Sequence, residues 1–233
     1  MKSMSQIVLI FLLLGMSCAA PLGLYDKAEM EDLWGDDIRR FDQLNRDNPP
    51  PRDAILFYGS SSIRLWADIE EDMAPYPVVR RGYGGASLHD AAYFARRVLH
   101  PIDYSALVLF IGNDIWGKPT DKHPAEMQRL TEMIVKVSRR HRPEAPVFLI
   151  EVTHIPARAQ LIKEWDAANE RLRNYAESQE DIFYIPTRDI YLDEDRQVRK
   201  ELFKEDQIHQ NEQGYALWTG RIKEGLKAVL DSR

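Results

Sequence analysis

The chain has 233 residues, 44% of them hydrophobic and 29% charged, which is enough to bury a sizeable core and implies one globular domain rather than two. Its formal net charge is −6 and no basic block is interleaved with aromatics, which argues against nucleic acid as a partner. A single cysteine, Cys18, excludes an internal disulfide, so the core must hold the fold together.

Residues 1–20 stand apart. Lys2 gives a positive start, Ile7 to Leu14 is an uninterrupted apolar run, and Ser17, Cys18, Ala19 and Ala20 are small. This is the pattern of a secretory signal, too short for a spanning helix. The expected division is a signal peptide over 1–20 and one domain over 21–233, secreted or periplasmic. Cys18 sits where a bacterial lipoprotein carries its lipidated residue, although Gly15-Met16-Ser17 matches the usual approach to such a site poorly. Contact with a membrane is expected only through lipidation there.

From Lys27 to Asn45, Met30, Trp34, Ile38, Phe41 and Leu44 recur at helical spacing, and Asn48-Pro49-Pro50-Pro51 ends that helix. A strand over Ala54 to Tyr58 runs into Gly59 and the hydroxyl residues Ser60, Ser61 and Ser62. A second, Val78 to Arg80, runs into the glycine-rich turn Gly82 to Ser87. A third, Ala106 to Ile111, runs into Gly112-Asn113-Asp114. A helix follows over Pro124 to His141, then a strand over Val147 to Val152, a helix over Leu161 to Ser178, a strand over Ile182 to Ile185, and a closing helix over Gln213 to Leu230 with Asn211 as its cap. Strands that read as near-continuous apolar runs, alternating with helices, predict a three-layer α/β domain around a five-stranded parallel sheet, flavodoxin-like in topology.

In an open parallel sheet the loops at the carboxyl ends of the strands bind the ligand. The serine turn, the glycine turn, Gly112-Asn113-Asp114 and the polar stretch Glu205 to Asn211 all fall on that edge. Each taken singly is an ordinary turn or cap, but together they supply the parts of acyl transfer. One of the serines attacks, His209 takes its proton, and Asp206, three residues earlier, holds the imidazole. A backbone N–H of the Gly84–Gly85 turn and the Asn113 amide are the donors for an oxyanion.

These four stretches resemble the blocks of the SGNH hydrolases, also called GDSL-type esterases. The family's strand followed by Gly-Asp-Ser looks like Phe57-Tyr58-Gly59-Ser60-Ser61, with Ser60 in place of the usual Asp. The resemblance therefore implies Ser61 as nucleophile, with its own N–H an oxyanion donor. The second block's glycine falls on Gly85, the third block's asparagine on Asn113, and the last block's Asp-x-x-His on Asp206 and His209. The third block usually reads Gly-x-Asn-Asp, whereas this chain has Ile111-Gly112-Asn113-Asp114, a turn one residue shorter or lacking its first glycine.

The resemblance implies a secreted serine esterase that needs no cofactor and cleaves short, acetyl-type esters, the substrate being a small molecule or a glycan. A short-chain lipase or lysophospholipase is the alternative enzyme, and a binding module with the same fold the alternative outside enzymes. No metal site is implied: His89, His100, His123, His141 and His154 lack ligand-like spacing and are expected at the surface or at caps. Trp66 continues an apolar pattern and belongs in the core, Trp116 is a candidate wall for a sugar, and Arg64 is expected in a surface ion pair, with the steering of an anionic substrate as its alternative.

Overall fold

In the computed structural model, residues 26–232 are described; the expected signal and Cys18 lie outside them. Five strands, β1 (Ala54–Gly59), β2 (Val78–Gly82), β3 (Tyr104–Phe110), β4 (Val147–Ile150) and β5 (Ile182–Ile185), form one parallel sheet in the order β2-β1-β3-β4-β5. The chain starts near the middle, moves outward to β2, then crosses back over β1 to run outward through β3, β4 and β5. That reversal lies between β1 and β3, so the loops leaving their carboxyl ends diverge and open a crevice.

Every residue of β1 is buried, as expected of a strand covered on both faces. Its side chains alternate between two cores. Leu56 and Tyr58 join one with Met30, Ile38, Phe94, Leu130 and Trp165, while Ile55 and Phe57 join the other with Ile63, Trp66, Trp218 and Leu226. The first core is roofed by α1 (Lys27–Asp47), α4 (Leu88–Leu99), α5 (Pro124–His141) and α6 (Ile162–Glu177); the second by α2 (Ser61–Arg64), α3 (Ile69–Asp72) and α7 (Glu212–Leu230). The layers are those the sequence predicts, and Trp66 is in the core, with Trp218 5.1 Å away, ring to ring. No helix among the described residues is long and apolar enough to cross a membrane.

α4 is absent from the elements expected above. Its N-terminus is a capping box, Ser87 accepting from Asp90 N–H while the Asp90 carboxylate accepts from Ser87 N–H, and Leu88, Ala91, Phe94, Ala95, Val98 and Leu99 form its buried face. Its Ser-x-x-Asp start follows directly on the glycine-rich turn. The fourth strand is shorter than expected: it ends at Ile150, Glu151 N–H making a last bond to Ile185 O at 3.0 Å. Val152 then turns to the Asn169 side chain, its N–H donating to Oδ1 and its O accepting from Nδ2, both at 3.0 Å, while the Glu151 carboxylate accepts from Thr187 N–H (2.8 Å) and Arg188 N–H (2.6 Å).

Candidate active site

The crevice is built from the end of β1. Gly59 sits so close to β3 that a side chain there would run into the Phe110 carbonyl and the Ile63 side chain, and Ser60 N–H donates to that carbonyl at 3.1 Å. Ser60 is 2% exposed and extended; the chain then turns at once into α2, placing Ser61 in its first turn, where backbone N–H groups have no partner within the helix. A strand, a sharp turn and a helix thus lift the Ser61 side chain out of the sheet.

His209 reaches it from the other end of the chain. Its Nε2 lies 2.9 Å from Ser61 Oγ, and its Nδ1 lies 2.6 Å from Asp206 Oδ2. Of the three adjacent serines, Ser61 is the one bonded to the imidazole. The Asp206 to His209 segment is a tight turn in which Asp206 Oδ1 accepts from the N–H groups of Ile208 and His209, both at 2.9 Å, with Gln207 in the left-handed region at φ 55°. Partial burial of Asp206 pushes its pKa up, but the bonds from the His209 N–H and ring and the Ile208 N–H outweigh it and bring the carboxyl down to about 2. At neutral pH it is therefore an anion held against the ring, the arrangement that fixes which nitrogen faces the serine. α7 starts directly after, capped by Asn211, whose side chain accepts from Gly214 N–H at 3.0 Å.

Asn113 borders the same cleft, a cavity of about 30 Å³ whose walls include Ser61, Gly112, Thr153 and Arg158. One N–H of its amide is committed to Ala86 O at 3.0 Å, so the altered third block still brings this side chain to the cleft that Ser61 lines and ties it to the glycine turn. Gly85 has φ +79°, a conformation that favours glycine, with the Trp34 ring over it; it lies outside the lining of the cavity. Trp116 is also outside that lining and 40% exposed. Its ring carries the Arg158 guanidinium, with Cζ 3.2 Å from the centroid, and its Nε1–H donates to Asn113 O at 2.9 Å.

Two expectations need correction. His154 is 2% exposed, not at the surface, and its Nε2 lies 3.1 Å from Asp166 Oδ1. Arg64 makes no ion pair among the described residues; its guanidinium lies over Gly84. Thr153, Arg158 and Gln210, which line the cleft, were not singled out from the sequence. Thr153 and Arg158 follow β4, and the rule that loops after strand ends build the site extends to that connection. Among the described residues no group of three or more His, Cys, Asp or Glu is placed to hold a metal ion.

The family model described as GDSL-like Lipase/Acylhydrolase matches residues 53–217. Among solved structures, the fold is similar to that of a GDSL-like lipase from Bacteroides thetaiotaomicron (TM-score 0.69, 16% identity, covering 82% of this chain and 97% of that one). It is also similar to an acetyl esterase solved with an acetate ion (0.62, 12%, 77% and 99%) and to a carbohydrate esterase family 3 protein from Talaromyces cellulolyticus (0.59, 12%, 78% and 99%). No curated protein sequence matches the chain. At these identities the likeness is one of fold.

Proposed function

Since this chain belongs to the GDSL-like lipase/acylhydrolase family, and is thereby a serine hydrolase acting on ester bonds, we propose that it cleaves short acyl esters, acetyl above all, on a carbohydrate, with Ser61, His209 and Asp206 as its triad. The observation that carries this reading is the unbroken relay from Ser61 Oγ through both ring nitrogens of His209 to Asp206. Ser61 Oγ attacks the ester carbonyl as its proton passes to His209 Nε2. The N–H groups of Ser61 and Gly85 and the free N–H of the Asn113 amide hold the oxyanion. The tetrahedral species collapses as His209 returns the proton to the departing alcohol oxygen, leaving an acyl-serine. Water then attacks the acyl carbon, His209 takes its proton, and the carboxylic acid leaves as Ser61 regains it.

A cavity of about 30 Å³ holds roughly two waters, which favours an acetyl-sized group over a fatty chain. The printed names of two fold neighbours, an acetyl esterase and a carbohydrate esterase, point to the same class. The apolar run and small-residue exit of residues 1–20 support export, with 21–233 as the mature domain, and lipidation of Cys18 as the route to a membrane.

Incubation with a fluorophosphonate followed by peptide mapping tests the nucleophile. A single adduct on Ser61 is expected, together with p-nitrophenyl acetate hydrolysis that falls at least about a thousandfold in Ser61→Ala without a change in circular dichroism. An adduct on Ser60 or Ser62, or full activity in the variant, overturns the assignment.

A further inference from the structure

Thr153, Arg158 and Gln210, all in the wall of the cleft, carry polar atoms that are buried and have no hydrogen-bond partner: Thr153 Oγ1, Gln210 Oε1, and Arg158 Nε and Nη2. Buried polar groups are normally paired, so this concentration marks a place built for something polar. Arg158 is the informative member. It is 4% exposed and makes no ion pair among the described residues. Its Nη1 donates to Gly112 O at 3.0 Å and Ile115 O at 3.3 Å, and its face rests on Trp116. The guanidinium is thus fixed by one edge and one face, and the idle atoms, Nε and Nη2, form its other edge. That edge is the two-pronged donor that matches the two oxygens of a carboxylate.

The charge points the same way. Burial, the main effect, lowers the pKa of Arg158 only to about 10, so the group is a cation at neutral pH. The Asp121 carboxylate nearby favours the charged form but makes no ion pair with Arg158; its Oδ2 accepts from the N–H groups of Trp116, Gly117 and Lys118 at 2.6–3.0 Å. A buried cation with no carboxylate bonded to it is costly, and an anion supplied by the substrate reduces that cost.

We propose that Arg158 recognises an anion in this cleft, and that the ester hydrolysed carries a carboxylate a few bonds from its carbonyl. The inference rests on the reading of Ser61 as nucleophile. The carboxylate pairs side-on with Nε and Nη2, the Thr153 hydroxyl donates to it, and Gln210 Oε1 accepts from a hydroxyl of the substrate. Because Nε and Nη2 are closed to solvent, the anion enters as the wall yields.

Two matched pairs of esters locate the carboxylate. p-Nitrophenyl hemisuccinate against p-nitrophenyl butyrate places it in the acyl group, and the acetylated methyl glycoside of galacturonic acid, its C6 carboxylate free, against acetylated methyl galactoside places it in the alcohol. In at least one pair the acidic ester is expected to have a kcat/KM about 10- to 100-fold higher, the worth of one charged hydrogen-bonded pair. Arg158→Gln lowers the acidic ester by that factor, mainly through KM, and the neutral one by less than about fivefold, and Arg158→Lys restores part of the difference.

No preference in either pair overturns the proposal. So does an Arg158→Gln variant that loses kcat equally on both members of a pair, since that is the signature of a residue that only positions the Gly112 carbonyl. Calorimetry on Ser61→Ala with methyl hydrogen succinate and the methyl glycoside of galacturonic acid, each against its neutral analogue, reads recognition without turnover. Selective binding of an acid, lost in Ser61→Ala/Arg158→Gln, sustains the proposal even if the fluorophosphonate leaves Ser61 unlabelled. Equal binding of acid and neutral analogue defeats it.

Discussion

Asp114, next to the oxyanion candidate Asn113, is 3% exposed, and its carboxylate oxygens accept from Leu88 N–H at 3.1 and 3.2 Å. Burial dominates and raises its pKa to about 7, the Leu88 N–H pulling it partly back. In the unfolded chain an aspartate titrates near 3.9. Between those values the folded protein holds a proton that the unfolded chain has lost, so stability falls as pH rises from about 4 to about 7, and no further above. Asp206, brought down to about 2, acts in the opposite sense, adding stability as pH rises from about 2 to about 4, below that window. His89, His100 and His154, whose pKa values burial lowers from the ordinary 6.5, oppose Asp114 by adding stability as pH rises toward that value. The expected outcome is therefore a difference: across pH 4 to 8 the melting temperature of Asp114→Asn, which keeps an acceptor toward Leu88 but cannot ionise, should lack the downward contribution that the parent carries. An identical slope in the variant would show that other groups carry it. The pair Asn113-Asp114 was legible as a polar turn; that its second member is buried against the start of α4 was not, because α4 itself was missed. Asp206 and His209 were legible because their contact is local, three residues apart. The choice of Ser61 from its neighbours rested on resemblance until the imidazole was seen to reach it.

The elements that position the nucleophile are packed backbone to backbone. β1 lies between β2 and β3, with Gly59 opposite both Gly82 and Phe110, and a side chain at Gly82 would meet the backbone of Ile63 and Arg64 in α2. Two glycines in register let a helix and two strands converge where the serine leaves the sheet. Gly59→Ala should cost about 3 kcal/mol or more, since the obstacle is the Phe110 carbonyl rather than a movable side-chain tip, and the serine should lose its register with His209. Urea denaturation with parallel p-nitrophenyl acetate assays checks both, and a midpoint like that of the parent would mean that the strand ends have slack. The strands were legible because they are buried on both faces and so read as apolar runs. The short helices α2 and α3, each four residues, carry too few turns to show a period, and α4 was passed over although its Ser87–Asp90 box and apolar face were available.

Across the whole molecule, the site joins chain segments 148 positions apart, and α7 is the clamp between them. Its first turn follows directly on His209, and Tyr215, one turn in, donates its hydroxyl to Ser62 O at 2.8 Å and stacks on Trp66 at 5.6 Å. That convergence was legible in outline, because loops at one edge of a parallel sheet must meet. The clamp was not, since nothing in the spacing of Tyr215 names a carbonyl in the first block as its partner. Thr153, Arg158 and Gln210 escaped for the same reason: their role depends on which side chains the crossing loops bring face to face. Tyr215→Phe keeps the ring stack and removes one hydrogen bond, leaving the Ser62 carbonyl without that donor, at a cost of about 1 kcal/mol. If the bond also holds the serine turn in register with His209, kcat on p-nitrophenyl acetate should drop about fivefold with KM unchanged, because the alignment matters in the transition state rather than in binding. A lower melting temperature with an unaltered kcat would confine Tyr215 to stability and leave the alignment of Ser61 with His209 to the packing of Trp66 against Trp218.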